Sequence, residues 1–365
     1  MISEPTAIVE PSNAGEKIAV LPNTAAVFLV WAGDRSAYLA KTSMLRRRLS
    51  RILRPSEGSR SLNVRNVFTR IEYWLTGSAF ESTLLHYELA KRHFPDTYLK
   101  LTRLRMPAYV RLILANDFPR TQVTTRMSGG ASLYYGPFRT RATAEQFETQ
   151  LLDLFQIRRC QENLDPRPDH PGCIYGEMNM CLRPCQQVVT IDEYRSEANR
   201  VAHFLETNGA AALSAVEAAR DRLSEEMNFE EAARQHKRIE RIEAVLALRD
   251  DLARDVERLF VIVVVQSAVP DAVSLWFCCR GTWQAPVEFP LASDISLDRR
   301  LRDLIAQLAP EQVRLADREE HLALLARWTY SSWRDGELLV FGSLEHTPYR
   351  KLVRAISRVH AGAGR

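Results

Sequence analysis

The stretch Leu21–Leu49, LPNTAAVFLVWAGDRSAYLAKTSMLRRRL, decides how the chain begins to fold. Ala25–Trp31 and Ala37–Leu39 are apolar runs of strand character on either side of Gly33–Asp34, a pair that favours a tight hairpin turn. Past Ser43 the period changes. Leu45, Leu49, Ile52 and Leu53 recur at helical spacing, which predicts a helix over Ser43–Leu53. The other faces of that helix carry Arg46, Arg47, Arg48 and Arg51. A hairpin followed by a basic amphipathic helix is the start of a small α/β domain.

Working outward, the 365 residues are enough for two or three domains. Apolar residues make up 46% and charged residues 26%, ordinary globular usage that argues against wholesale disorder. The apolar run Leu259–Val265 is far short of the about 20 residues that a membrane helix requires. The N-terminus lacks the basic and apolar regions of a secretory leader, so a soluble protein in a reducing cytoplasm is expected. Charge is unevenly spread. Lys41–Arg70 carries nine Lys or Arg against Glu57 alone, whereas Glu217–Glu257 carries twelve acids and eight bases. That asymmetry points to one nucleic-acid-facing part and a separate part that meets another partner.

The fold class expected is α/β and multidomain. Residues 1–18 read as a disordered tail, and 19–100 as the small α/β domain, with a second helix over Phe80–His93. Residues 101–190 hold linker strands (Tyr109–Leu114, Gln122–Arg126), a helix over Ala144–Ile157 and a Cys-, Pro- and Asn-rich loop. Residues 191–257 are helical. Residues 258–365 form a final α/β section with strands near Phe260–Val265, Ser274–Cys279 and Leu338–Phe341. In that section Trp328, Tyr330 and Trp333 read as core aromatics. The adjacent Cys278 and Cys279 read as packing residues that face opposite sides of a strand.

Cys160, Cys173, Cys181 and Cys185 are separated by twelve, seven and three residues. The loop between them has little apolar mass, and a bound metal centre would supply the missing stability. Four thiolates suit tetrahedral zinc or an iron–sulfur cluster, and the spacing alone does not choose.

Taken together, these pieces resemble the N-terminal half of the UvrC family. Leu21–Leu49 is similar to the opening of a GIY-YIG nuclease domain. PAYVRLILANDFPR (Pro107–Arg120), SLYYGPFRTRATAEQ (Ser132–Gln146), the C-x7-C-x3-C end of the cysteine cluster and Ile191–Tyr194 match the family in order. RLSEEMNFEEAARQHKRIERIEAV (Arg222–Val245) is similar to the UVR motif through which UvrC-type proteins contact UvrB. The resemblance covers roughly residues 19–290. It implies that the RNase H-like and tandem helix-hairpin-helix domains are lacking. It also suggests a 4Fe-4S cluster on the four cysteines, with zinc as the alternative.

The resemblance further assigns a nuclease site. Tyr38 and Arg48 match the water-activating tyrosine and the phosphate-binding arginine. Phe28 replaces the first tyrosine and lacks its hydroxyl. Glu81–Tyr98 matches the helix that carries the metal glutamate, and places His86 at that position and Tyr98 at an asparagine. A two-residue slip would put Glu88 there instead. Magnesium prefers hard oxygen ligands, so His86 predicts a degraded site, with manganese as the softer metal it could still tolerate. Lys41, Arg46, Arg47 and Arg51 are the expected DNA-backbone contacts, sequence-neutral and salt-sensitive. Met227, Phe229, Ala232, Ala233 and Ile239 are the expected contacts to UvrB.

Three functions follow. The first is a repair subunit that binds DNA and UvrB with a weakened nuclease. The second is a working single-strand endonuclease using Tyr38 and Arg48 with Mg or Mn. The third is a metal-stabilised nucleic-acid-binding protein unrelated to repair.

Overall fold

The computed structural model describes residues 4–54, 64–308 and 314–362. Glu57 and Arg60 of the basic run lie outside the described residues. What is described is a mixed α/β chain with three antiparallel sheets.

The N-terminal sheet runs β1 (Ala7–Val9), β4 (Arg70–Leu75), β2 (Ala26–Ala32), β3 (Arg35–Thr42). The predicted hairpin is β2–β3, turning at Gly33, whose φ of +62° suits a residue without a Cβ. Phe28 pairs with Ala40 and Val30 with Tyr38, so Phe28 and Tyr38 share a face. That face packs on α1 (Ala14–Val20) and α2 (Leu45–Ile52) through Ile18, Leu45, Leu49 and Ile52. The opposite face presents Val27, Leu29, Leu39 and Trp74 to Leu89 and Ala90 of α3 (Ala79–His93). Helix α3 starts at Ser78, whose side chain accepts the Glu81 N–H, and stops at Phe94 before Pro95. A short helix α4 (Tyr98–Thr102) follows.

Residues 7–9 and 14–18 correct the expectation of a disordered tail. β1 pairs antiparallel with β4, and Val9 and Ile18 are buried. The strand is three residues long, too short to show a period.

The middle sheet runs β6 (Arg120–Thr124), β5 (Ala108–Ile113), β7 (Ser132–Phe138), β8 (Arg254–Asp255). Helix α5 (Arg141–Leu152) covers it. It begins three residues earlier than predicted because Thr140 and Thr143 form a reciprocal cap. After the cysteine loop, with its one-turn helix α6 (Ile174–Glu177), come α7 (Ile191–Glu206), α8 (Ala210–Glu225) and α9 (Phe229–Ala247). Val201, Phe204, Ile239, Ile242 and Val245 join Phe147 and Leu151 of α5 in one core.

The C-terminal sheet is built on β9 (Phe260–Gln266) and β10 (Ala272–Cys279), with β11 (Thr282–Trp283), β12 (Val287–Pro290) and β13 (Glu337–Phe341) beside them. Cys278 and Cys279 fall into different cores, one on each side of β10. One face carries α10 (Leu297–Ala306) and α12 (Tyr349–Gly362), and the other carries α11 (Leu315–Thr329). Helix α11 is buried on most sides because α3 of the N-terminal domain lies against it. Phe80 of α3 sits among Trp276, Trp283 and Trp328, with ring centroids 5.5, 5.3 and 4.9 Å away. Gly77, just before α3, touches the β9–β10 turn so closely that a Cβ there would lie 2.3 Å from the Gln266 carbonyl oxygen. The N- and C-terminal domains are therefore locked together through α3.

Candidate functional site

Tyr38 and Arg48 meet. The alternation of β3 turns Tyr38 toward α2, and Arg48 lies one turn into that helix. Its Nη2 donates to the Tyr38 hydroxyl at 2.9 Å. The Phe28 ring is fully buried with its centroid 5.9 Å from that of Tyr38. The first-tyrosine position is thus an apolar wall without a proton to give. Arg46, Arg47 and Arg51 are exposed on α2. The Arg46 guanidinium donates to the Ala19 carbonyl at 3.4 Å, and the Arg47 amide donates to Asn23 Oδ1 at 3.1 Å. These contacts pin the helix while leaving an arginine face toward solvent.

Lys41 does not belong to that face. It has the parity of Leu39, so its side chain leaves β3 on the α3 side of the sheet. Its ammonium donates to Thr83 Oγ1 at 2.8 Å and lies 5.6 Å over the Trp333 ring. Burial and then Arg327 lower its pKa, against Asp335. Lys41 therefore stands on the opposite face of the sheet from Arg46 and Arg47, not beside them as expected.

His86 is one turn beyond Thr83 on α3 and belongs to this second group. Burial first, then the positive charges of Lys41 and Arg327, push its pKa down to about 4, so the ring is neutral at neutral pH. The two acids on α3 turn elsewhere. Glu81 accepts the Gly77 N–H at 2.7 Å, and burial together with Glu288 and Asp335 raises its pKa to about 7. Glu88 is raised by burial, against Lys91 and with Asp317. Neither acid joins His86 and Lys41. The slipped register that would bring Glu88 to the metal position therefore gains no support. Around His86 the structure gathers nitrogens and positive charge, where a divalent cation requires oxygens and negative charge.

Tyr98, at the family's asparagine position, is also committed to packing. Its hydroxyl donates to Glu320 Oε1 at 2.5 Å. Tyr87 donates to the other oxygen of Glu320, and Lys91 bridges Glu320 and Asp317 at 2.6 Å each. Burial opposes the Glu320 charge, but the bonds from Lys91, Tyr87 and Tyr98 outweigh it and hold the carboxyl below its usual range. Two tyrosines, a lysine and two acids thus close the junction of α3, α4 and α11. No motif pointed to Glu320, Arg327 or Trp333. They come from residues 315–335, more than 200 positions from their partners. Trp328 is core as expected, with Tyr330 packed beside it, but Trp333 is 39% exposed and corrects its reading as a core residue.

The four cysteines lie in and just before one loop. Cys181 and Cys185 are buried, Cys160 is partly covered and Cys173 is exposed. Burial leads and the neighbouring sulfurs follow in raising Cys181 to about 11 and in raising Cys185. Two donors point at sulfur: Arg158 Nη1 lies 3.8 Å from Cys160 Sγ, and the Arg183 amide lies 3.4 Å from Cys181 Sγ. Asn179, Arg183 and Gln187 all have φ near +55°, a left-handed backbone that costs free energy and persists only where surroundings enforce it. Among the described residues, no three His, Cys, Asp or Glu side chains stand as a group ready to hold a metal ion.

The helical hairpin α8–α9 turns at Met227, which has φ +57°. Met227 and Phe229 are 75% and 65% exposed at its tip, and Ala233 is exposed beside them. Ala232 and Ile239 are buried, Ile239 in the core shared with α5 and α7. They are unavailable to a partner, which corrects that part of the expected surface.

Comparison with known proteins fits this layout. Residues 108–204, from β5 through the cysteine loop to α7, match the UvrC/Cho excinuclease middle domain. The chain is a relative of the UvrC proteins. It is 26% identical over 277 residues to the UvrABC system protein C of Lachnospira eligens, covering 74% of this chain and 45% of that protein. It is 26% identical over 325 residues to that of Moorella thermoacetica, covering 86% and 52%. The counterpart from Desulfitobacterium hafniense is 28% identical over 247 residues, covering 66% and 40%. The chain thus spans about half, or less, of the length of the curated relatives it matches. No solved structure matches. No helix among the described residues is long and apolar enough to cross a membrane.

Proposed function

We propose that this UvrC relative is a DNA- and partner-binding subunit of nucleotide excision repair whose GIY-YIG-type nuclease centre has lost its metal site. The observation that carries the proposal is the company His86 keeps. At the position of the metal glutamate stands the neutral imidazole of His86, in the field of the Lys41 ammonium and the Arg327 guanidinium. A magnesium ion placed there would lack its carboxylate and be repelled by two fixed charges. The DNA-binding and docking parts have kept their surfaces. The arginines of α2 are exposed, and Met227 and Phe229 project from a hairpin tip in the manner of a UVR motif that meets UvrB.

The cysteine loop is read as the seat of a 4Fe-4S cluster, or of zinc, held by Cys160, Cys173, Cys181 and Cys185. All-thiol donors suit both, and such a centre would supply the enforcement that three left-handed residues in a core-poor loop require. Its role would be structural. Metal content by mass spectrometry of anaerobically purified protein, with and without Cys181→Ser, tests this part.

A second reading, a working endonuclease, is favoured by the 2.9 Å Arg48–Tyr38 bond, which keeps half of the site in order. A nicking assay separates the two. The protein is mixed with UvrA, UvrB, lesion-bearing duplex and magnesium or manganese, beside Arg48→Ala and His86→Glu. The expected result is UvrB binding without nicking by the wild type. Nicking by the wild type that disappears in Arg48→Ala would establish the endonuclease and overturn the proposal.

A further inference from the structure

The positive group around His86 does not end inside the protein. Arg327 Nη1 donates to the Thr102 carbonyl at 2.6 Å, which places this guanidinium against the end of α4. Arg103 and Arg105 follow immediately, both exposed and both bearing electrostatically on Arg327. On the other side Lys41 lies over Trp333, and Arg334 lies 5.5 Å from the Trp328 ring. Asp335, the acid that bears on Lys41, is already committed. Its carboxylate accepts the Ala79 amide at 2.5 Å and the Trp328 indole N–H at 3.0 Å. A line of cations thus runs along the junction of the N- and C-terminal domains, with one large ring open to solvent in its midst. No hydrogen bond among the described residues occupies the His86 ring, which leaves it free to meet a ligand.

We infer that this junction is a single-stranded DNA track, in which Lys41, Arg327, Arg103 and Arg105 hold consecutive phosphates and Trp333 stacks on an unpaired base. The polymer is chosen by charge and ring together. Cations alone would suit any polyanion, but an indole exposed among them adds the sequence-tolerant stacking that unpaired bases offer and duplex interiors do not. The inference rests on the DNA-binding part of the function proposed above and names a site for it that is separate from the α2 arginines. It also gives the altered metal position a use: fixed side-chain cations contact the phosphates that a bound metal would have contacted.

The test is fluorescence anisotropy of labelled oligo(dT) over a salt series with the full chain. It compares Trp333→Ala, Trp333→Phe, the pair Arg103→Gln/Arg105→Gln, and the triple Arg46→Gln/Arg47→Gln/Arg51→Gln. Trp333→Ala is expected to weaken binding about tenfold, and Trp333→Phe to restore most of it. On an abasic oligonucleotide Trp333→Ala should lose its effect. The Arg103/Arg105 pair should lower the salt slope by about 1.4, at about 0.7 per single-strand phosphate. These side chains are exposed, and an unchanged melting temperature checks that each variant is folded. Full-strength binding by the Trp333 and Arg103/Arg105 variants, with a loss confined to the α2 triple, would overturn this site and leave the DNA-binding reading standing. Absence of binding by the wild type would overturn both. An equal loss of affinity on intact and abasic strands would overturn the stacking role, and tighter binding of oligo(U) would overturn the choice of DNA.

Discussion

The two sides of the N-terminal sheet have been treated differently. On the α2 side Tyr38 and Arg48 touch as a water-activating tyrosine and a phosphate-binding arginine would, and exposed arginines surround them. On the α3 side, the positions that the resemblance gives to the metal glutamate and the asparagine hold His86 and Tyr98. Tyr98 is drawn into contact with the C-terminal domain, where it bonds to Glu320, and His86 into its electrostatic field, that of Arg327. On the proposed reading, a site has been dismantled without harm to the fold. The α2 side, left to bind DNA, would keep its geometry, and the α3 side, released from holding a metal, would become available as an interface, where tyrosine and histidine are more useful than a hydrated carboxylate.

If the α3 side is now structural, breaking it should cost stability. Glu320→Ala takes the acceptor from the Tyr87 and Tyr98 hydroxyls and leaves Lys91 with Asp317 and the Tyr87 hydroxyl, so a loss of about 3 kcal/mol is expected in urea unfolding. Gly77→Ala attacks the same junction by steric clash with the Gln266 carbonyl and should cost about 2–3 kcal/mol. Tyr38→Phe, on the other side, removes one half-exposed hydrogen bond and should cost about 1 kcal/mol or less. Equal losses on the two sides would remove the distinction.

Much of the α2 side was legible in the sequence because its signals are local. The hairpin turn at Gly33, the period of α2 and the spacing of Tyr38 to Arg48 lie within thirty residues. The same holds for the strands of the C-terminal sheet and for the opposite burial of Cys278 and Cys279. The α3 side was legible only as a loss. His86 could be seen to depart from a carboxylate, but what surrounds it could not be seen, because Arg327, Trp333 and Glu320 arrive through tertiary contact. The sequence likewise suggested Lys41 as a DNA contact beside Arg46. Strand parity sends it to the opposite face, and parity is decided by where the bulge at Val30–Trp31 falls. Ile239 reads as a surface residue in an isolated hairpin and is buried because α9 packs on α5 and α7.

Acid should expose the difference between the sides next. His321 accepts the Trp283 N–H on Nδ1 at 3.1 Å, which requires the neutral ring, and burial foremost, with Lys91, holds its pKa down to about 4. His86 is also pushed down to about 4. A base whose pKa is depressed by folding contributes stability that is complete above its unfolded pKa, near 6.5, and is lost as the pH falls toward 4. Glu81 works in the opposite sense. Raised to about 7, its contribution is complete below about 4.5 and is lost as the pH rises toward 7. Between pH 5 and 6.5 the two effects partly cancel. Glu81→Gln should therefore steepen the loss of stability on acidification, and His321→Gln should flatten it while lowering stability at pH 7. Urea midpoints at pH 7, 6 and 5 measure this. Identical pH profiles for the wild type and Glu81→Gln would mean that the junction does not titrate as described.

The smallest effect on stability is expected farthest from the junction, at the hairpin tip, and there its smallness is the informative result. Met227 and Phe229 bury little of themselves in this chain, so replacing both with Ser should shift the urea midpoint by no more than about 0.5 kcal/mol. If the tip exists to meet a partner, the same double variant should lose UvrB in a pull-down while DNA affinity and unfolding stay unchanged. Ile239→Ser makes the control. It lies on the same hairpin but in the core shared with α5 and α7, so it should destabilise the chain by about 2–4 kcal/mol. A tip variant that keeps UvrB would leave Met227 and Phe229 as surface residues without a task. A tip variant that unfolds like Ile239→Ser would show that the tip is held by contacts within the chain.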